Sequence, residues 1–239
     1  MIRGLGDALS AVLLAPCCAC CREPLDHPTR GAVCAACWRS LPTQTDPVCQ
    51  TCGDALPSSR LPAGIPQCTR CRRTPRVISC GRSIGPYDGV LRDILQALKY
   101  DRRRSLARPL GALMSAAGRE VLVGADFVVP VPLHFFRQYA RGFNQAAELA
   151  SHLGVPVLHA LRRARATVTQ TDLPEAQRHA NVRGAFAARC RIPREAVLVV
   201  VDDVSTTGAT LDACAHVLLE AGATAVRGLT AARAAARLP

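Results

Sequence analysis

The spacing of apolar residues along the chain changes character near residue 80. Residues 16–76 show no sustained apolar period and are interrupted by small, turn-forming residues, so this region cannot bury enough apolar surface to fold unaided. From residue 83 onward, apolar positions recur at helical or strand spacing. The pattern therefore predicts two parts, residues 1–80 and residues 81–239.

Helices and strands alternate in the second part. Helical spacing of apolar residues predicts helices over residues 87–100, 105–120, 144–153 and 209–221. Short apolar runs predict strands over residues 127–131, 156–161, 196–201 and 225–230. The run at 196–201 is uninterrupted and aliphatic, which is typical of a central parallel strand covered on both faces. The fold class is therefore α/β, with a parallel sheet flanked by helices. Residues 162–181 are polar and basic without a period, which predicts a long loop.

An acidic pair and a turn rich in threonine follow the aliphatic run. Asp202 and Asp203 come after the predicted strand, where ligands of open parallel sheets bind. The next residues, 205–210, offer hydroxyls and backbone N–H groups at the start of a helix, which favours a phosphate, and Gly208 lets the backbone approach it closely. The two carboxylates are then suited to accept hydrogen bonds from sugar hydroxyls. An ordinary capped strand-to-helix turn is the alternative interpretation.

The first part contains a regular series of cysteine pairs. Of the 13 cysteines, eight form four CxxC pairs, and two such pairs joined by a short segment make a tetrahedral Cys₄ zinc site. Sequential pairing predicts two zinc ions, held by Cys18, Cys21, Cys34 and Cys37 and by Cys49, Cys52, Cys68 and Cys71. Cys17 and Cys20 have the same spacing, so the register of the first site stays open. Closed Cys₄ sites are structural; thiol–disulfide chemistry is the alternative.

Charge and composition bear on partners and location. The net charge of +12 favours polyanionic partners such as nucleic acid or phosphorylated ligands, with a merely basic surface as the alternative. Aromatic residues, which stack on bases, make up only 4% of the chain. The apolar stretch at residues 9–15 is too short to span a membrane and is expected to form an amphipathic helix. Paired cysteines without an export signal indicate a reducing, cytoplasmic location.

The segment from the aliphatic strand to Thr210 resembles the motif with which type I phosphoribosyltransferases bind 5-phosphoribosyl-1-pyrophosphate (PRPP). The resemblance implies that Asp202 and Asp203 hold the ribose hydroxyls and that magnesium accompanies the diphosphate. It assigns the 5′-phosphate to Thr206, Thr207, Gly208, Ala209 and Thr210, and the pyrophosphate to the loop Val131, Pro132 and Leu133. For that loop, a proline turn that merely ends a strand is the alternative.

A double zinc ribbon followed by a phosphoribosyltransferase domain resembles the ComF family of competence-associated proteins. Further matching segments are Tyr87-Asp88-Gly89, Leu98-Lys99-Tyr100, Arg141-Gly142-Phe143-Asn144-Gln145, Thr169-Gln170-Thr171, and Arg178 through Phe186. Four of these residues are candidates for substrate contacts: Lys99, Arg141, Asn144 and Gln145. Helix capping by Asn144 and a solvated Arg141 are the alternatives. The doubled cysteines at 17–18 and 20–21 depart from the family pattern.

The resemblance implies a role in handling incoming single-stranded DNA during natural transformation, beside the DNA-uptake helicase or translocation machinery at the inner membrane. Three functions are compatible with the motifs. One is a PRPP-binding protein of DNA uptake, the second an active phosphoribosyltransferase with an unidentified acceptor, and the third a non-catalytic scaffold that senses PRPP or a nucleotide. No residue stands out as a general base, so the sequence names no catalytic residue.

Overall fold

The structure, a computed structural model, describes residues 16–44, 46–57, 66–101, 103–133, 139, 142–165, 182 and 184–234. Its helices are α1 (Ala35–Arg39), α2 (Thr69–Arg73), α3 (Gly89–Tyr100), α4 (Ala107–Ala117), α5 (Arg119–Leu122), α6 (Gln145–Ala150) and α7 (Ala209–Glu220). Its strands are β1 (Gly81–Pro86), β2 (Phe127–Pro130), β3 (Leu161–Arg163), β4 (Phe186–Ala188), β5 (Val197–Ser205) and β6 (Ala225–Arg233). Short 3₁₀ turns cover Pro28–Arg30 and Arg104–Leu106.

Four strands form a parallel sheet in the order β1-β6-β5-β2. Val201 of β5 lies opposite Pro130 of β2 on one side and Leu229 of β6 on the other. Val157 adds a single parallel bridge to Val128, and β3 pairs with β4 in a separate antiparallel ribbon. The predicted α/β class with a parallel, helix-flanked sheet is confirmed.

Apolar side chains cover both faces of this sheet. On one face, Leu91 and Leu95 of α3 belong to the same buried cluster as Val199. On the other face, Leu218 of α7 is buried in a cluster with Leu198. Because successive strand residues point to opposite faces, the aliphatic run of β5 supplies both cores at once.

The Cys-rich region covers the β1 edge of the sheet and shares the main core. The backbone N–H of Gln44 donates to the carbonyl of Ile84 at 2.7 Å. A Cβ on Gly85 would collide with the carbonyl of Pro42, so this close approach requires glycine. Leu25 and other apolar residues of this region are buried in the cluster that contains α3 and α4.

Several predicted boundaries were wrong. The helix predicted over residues 105–120 is divided into α4 and α5 at Gly118, which packs against the Leu229 side chain. The strand predicted over residues 156–161 is reduced to the bridge at Val157, and the helix predicted over residues 144–153 ends at Ala150. The strand β5 continues through the acidic pair to Ser205, because Val204 and Ser205 still pair with β6. The predicted helix at 9–15 and most of the predicted loop, residues 166–181, lie outside the described residues.

No helix in the described part of the chain is both long and apolar enough to cross a membrane.

Leu95→Ala is expected to lower the free energy of unfolding by about 2–5 kcal/mol, because a fully buried leucine leaves a cavity. Urea denaturation followed by circular dichroism measures the change. Val123→Ala is the control, since Val123 is 65% exposed and its loss should change stability by less than about 0.5 kcal/mol. Equal effects of the two substitutions would contradict the packing described.

Candidate functional site

The acidic pair lies at the carboxyl end of β5, inside the sheet rather than beyond it. Asp203 is buried and Asp202 is half-buried. The backbone N–H of Asp203 donates to the carboxylate of Asp202 at 2.9 Å. On the neighbouring strand β6, Thr230 is opposite Asp202 and is itself buried. The two carboxylates are therefore held in fixed positions near the carboxyl end of the sheet.

Lys99 reaches the acidic pair from the last turn of α3. Its ammonium forms an ion pair with the Asp203 carboxylate, and both side chains are largely buried. The ammonium also lies 5.9 Å from the centroid of the Tyr87 ring. Lys99, from a matching segment far from the acidic pair in sequence, thus reaches Asp203, and Tyr87 of a second matching segment lies beside the Lys99 ammonium.

The threonine-rich turn connects β5 to α7. Thr207, Gly208 and Ala209 are buried, whereas Thr206 and Thr210 are half-buried. Gly208 is the N-cap residue of α7 and has a φ of +79°, in the left-handed region that favours glycine. The Thr207 hydroxyl accepts a hydrogen bond from the Ala209 N–H at 3.3 Å. Gly208 has no side chain with which to cap the first turn, and the start of this helix, with its N–H groups and dipole, suits an anion.

The loop that follows β2 lies beside the acidic pair. The backbone N–H of Val131 donates to the carbonyl of Val201 at 2.9 Å, one residue before Asp202. Val131 is buried, and Pro132 and Leu133 line a cavity next to it. The acidic pair, the threonine-rich turn and this loop were each predicted from the sequence. All three therefore meet where the strands of the sheet have their carboxyl ends.

Two of the other residues predicted to contact the substrate, Asn144 and Gln145, have contacts or burial that serve the fold. The Asn144 side chain caps α6, accepting from the Ala146 N–H at 3.0 Å, and its amide donates to the Val131 carbonyl at 3.0 Å. Asn144 therefore caps a helix, as the alternative interpretation of the sequence proposed. The same side chain also anchors the loop after β2. Gln145 is 4% exposed. Arg141 lies outside the described residues.

The structure gathers eight cysteines into two sets of four. Within each set the sulfur atoms lie within 4.8 Å of one another. A tetrahedral zinc site with Zn–S bonds of about 2.3 Å has sulfur–sulfur edges of about 3.8 Å. The observed separations are 3.9 Å for Cys18–Cys37, 3.8 Å for Cys21–Cys34 and 3.7 Å for Cys52–Cys68. Both sets could therefore hold a zinc ion.

The first set contains Cys18 and Cys21 and excludes Cys17 and Cys20. Cys17 instead forms a β-bridge with Pro24, which turns its side chain out of the set. The second set consists of Cys49, Cys52, Cys68 and Cys71. Cys34 and Cys68 open α1 and α2, where each sulfur accepts a hydrogen bond from the N–H three residues later.

Each set has one thiol that ionises readily. Burial raises the pKa of Cys18, but N–H donors, first among them that of Cys34, outweigh it and bring the pKa to about 6. A hydrogen bond with the Cys52 side chain lowers the pKa of Cys49 to about 4. Burial raises the pKa of Cys71 to about 12. Because zinc binds thiolates, an ion entering a set meets one ligand that is already ionised.

Sequence reasoning missed two arginines at the threonine-rich turn. Arg76, between the last cysteine pair and β1, donates to the carbonyl of Thr207 and pairs with Asp212 of α7 at 3.0 Å. Arg233, at the end of β6, pairs with Asp54 of the Cys-rich region. Nothing local distinguishes these arginines from the many others in the chain, so no sequence signal could have found them.

Comparison with known proteins supports the resemblance seen in the sequence. The phosphoribosyl transferase domain family matches residues 139–238. The DNA utilization protein YhgH of Salmonella typhi is 34% identical over 230 residues, which are 88% of this chain and 93% of that protein. Competence protein F of Haemophilus influenzae is 30% identical, over 91% and 96% of the two chains. Competence protein ComFC of Bacillus subtilis is 29% identical, over 86% and 78%.

These similarities run through the Cys-rich region as well as the α/β domain. The order of elements agrees with them, since two Cys₄ sets precede a parallel sheet with the acidic pair and threonine-rich turn at its edge. The chain belongs to the ComF family.

Proposed function

We propose that this protein binds PRPP together with Mg²⁺ at the sheet edge described above. The observation that carries the proposal is the meeting of three parts at one place: a fixed carboxylate pair, a helix start with glycine at its N-cap, and the loop after β2. PRPP is a sugar with a phosphate group at one end and a diphosphate at the other, so its binding needs one part for the hydroxyls and one for each phosphate end. A carboxylate pair accepts from hydroxyls, and N–H groups donate to phosphate oxygens.

Each part of PRPP has its own binding residues in this proposal. Asp202 and Asp203 bind the ribose hydroxyls. The 5′-phosphate lies on the turn formed by residues 206–210, and the pyrophosphate on the loop formed by residues 131–133. Magnesium, which prefers oxygen ligands, binds the diphosphate oxygens and neutralises their charge. Lys99, already paired with Asp203, offsets the repulsion between the carboxylates and the anionic ligand.

The same site would also support transfer of the phosphoribosyl group. In such a reaction the protein positions the ligand and stabilises the departing pyrophosphate, and these two effects supply most of the rate. A non-catalytic sensor of PRPP would use the same contacts. Among the described residues at this edge, none is placed as a general base, so binding is the function that the geometry supports best.

We propose a second role in handling single-stranded DNA at the cytoplasmic side of the DNA-uptake machinery. It is supported by the net charge of +12 and by the names of the relatives, which refer to DNA utilization and competence. A groove of about 680 Å³ is lined by Trp38, Arg104, Arg108 and His152, and also by Glu148, which pairs with Arg104. An aromatic ring beside arginines suits a stacked base and its phosphates.

We propose that each Cys₄ set holds one structural zinc ion. Zinc would replace the apolar core that residues 1–80 lack, while residues 81–239 form the phosphoribosyl-binding domain. With four thiolate ligands no position is left for water, so neither ion would take part in chemistry.

PRPP with Mg²⁺ is expected to bind the full-length protein in isothermal titration calorimetry. Replacing both Asp202 and Asp203 by asparagine should weaken binding by at least about a hundredfold, because two hydrogen bonds to charged acceptors are lost. Glu220→Gln, at the far end of α7 and exposed, is the control for loss of a carboxylate away from the site. Absence of binding by the wild-type protein would refute the proposed site.

Binding to an oligonucleotide of single-stranded DNA, measured by gel shift over a range of salt, should weaken as salt rises. Trp38→Ala is expected to reduce affinity by roughly 5- to 150-fold if one base stacks on it, and Arg108→Gln to reduce the salt slope by about 0.7. Arg194→Gln removes an exposed arginine outside the groove and should change neither. A response independent of salt, or equal effects of all three, would argue against this groove.

Purified protein should contain two zinc ions per chain by elemental mass spectrometry. Cys71→Ser is expected to reduce the content to one, because a Cys₃ set binds zinc more weakly. Cys17→Ser and Cys20→Ser are matched controls that should retain two ions, since these cysteines lie outside both sets. Loss of an ion from either control would show a different register.

A further inference from the structure

The second Cys₄ set is connected to the threonine-rich turn by Arg76. This arginine follows Cys71 closely in sequence, and its side chain is only 2% exposed. Its Nε lies 3.0 Å from the Asp212 carboxylate in the first turn of α7, while Nη1 donates to the carbonyl of Thr207. Asp212 also accepts from the N–H of Val77 at 3.1 Å, so the segment after the cysteines is docked on the helix start.

The Arg76 contact sets the orientation of one peptide group in the turn. The carbonyl of Thr207 and the N–H of Gly208 belong to the same trans peptide and point in opposite directions. With the carbonyl held on the guanidinium, the Gly208 N–H points away from Arg76. The guanidinium occupies the space that a Cβ at position 208 would take, and the φ of +79° at this residue independently favours glycine.

A second contact reaches the other end of the turn from the same metal set. Asp54 follows Cys52 closely and pairs with Arg233, which is 6% exposed. The Arg233 Nη1 lies 3.4 Å from the hydroxyl of Ser205, the last residue of β5. Arg76 therefore contacts the turn itself, at Thr207, whereas Arg233 contacts Ser205, the residue before the turn.

Both arginines retain a donor that the fold does not use. Within the described part of the chain, Nη2 of Arg76 and Nη2 of Arg233 are buried without a hydrogen-bond partner, and Nε of Arg76 meets Asp212 as an ion pair without hydrogen-bond geometry. Buried donors are almost always paired, and leaving one unpaired costs free energy. The unpaired Nη2 of Arg76 lies beside Gly208, where a bound anion would supply the missing acceptor.

We propose that the second Cys₄ set is a working part of the 5′-phosphate site, with Arg76 as the positioning residue that couples the two. When the metal holds residues 66–74, Arg76 fixes the Thr207–Gly208 peptide with its N–H toward the phosphate. When the metal is lost, the peptide is free to rotate and phosphate affinity falls. This inference rests on the proposed PRPP site and adds to it a metal-dependent control of one end of the ligand.

Ribose 5-phosphate and Mg²⁺-pyrophosphate are the two probes, titrated separately into the full-length zinc-loaded protein by calorimetry. Arg76→Gln is expected to weaken ribose 5-phosphate binding by about tenfold or more, since a hydrogen bond from a charged donor is lost. Pyrophosphate binding, which uses the loop after β2, should be unchanged. A general loss of structure would weaken both, so the difference between the probes isolates the positioning role.

Arg72→Gln is the matched control, because Arg72 lies on α2 of the same module, is exposed and does not touch the turn. Asp212→Asn removes the other partner of Arg76 and should likewise weaken binding of ribose 5-phosphate but not of pyrophosphate. It tests the same contact if Arg76→Gln does not fold. Arg76→Lys should restore binding only in part, because an ammonium cannot bridge Thr207 and Asp212 as a fork does.

The role of the metal is tested by comparing Cys71→Ser, in the second cysteine set, with Cys37→Ser, in the first. Zinc content is measured on the same samples. Each variant should lose one zinc ion, but only Cys71→Ser should lose ribose 5-phosphate affinity, by about tenfold or more. If the wild-type protein binds neither probe, the proposed PRPP site itself is wrong. If it binds both and Arg76→Gln and Asp212→Asn match it for ribose 5-phosphate, the PRPP site stands and the coupling through Arg76 is refuted.

Discussion

Burial of β5 on both faces is the constraint from which the rest of the α/β domain follows. Its aliphatic residues supply the core beneath α7 through Leu198 and the core beneath α3 and α4 through Val199. Hydrogen bonds to β2 and β6 then occupy both of its edges. Such a strand has no room for polar side chains until it approaches its end. The acidic pair and the turn are therefore confined to one edge of the sheet, where the loop after β2 also ends.

The Cys-rich region solves a different physical problem. It has few apolar residues, so cysteine sets take the place of a core. Leu25 and Val33 join the main cluster, whereas Leu56 packs against the second cysteine set. As a result the region lies directly on the β1 edge and beside α7. Arg76, five residues after Cys71, contacts the carbonyl of Thr207 in the threonine-rich turn, and Asp54, two residues after Cys52, pairs with Arg233 of β6. A region that looks like a separate module in the sequence is thus continuous with the site.

Sequence patterns were informative where the cause of structure is local. The period of apolar residues located α3 and α7, and the aliphatic run located β5. The strand β1 was missed because its residues, Gly-Arg-Ser-Ile-Gly-Pro, contain no apolar run. It is a strand because β6 pairs with it, and Gln44 and Gln50 contact it from the Cys-rich region. The end of β5 was placed too early for the same reason, since pairing with β6 carries the strand through two charged residues.

Four features can be read from neighbouring residues alone: the family resemblance, the α/β order of elements, the position of Asp202 and Asp203 before a glycine turn, and the spacing of the cysteines. Three others depend on how the chain folds, namely which cysteines form the first set, the pairing of Lys99 with Asp203, and the contact of Arg76 with the turn. These contacts join residues far apart in the chain. Arginines look alike in a sequence, and burial beside a particular carbonyl or carboxylate is what distinguishes one of them from the others.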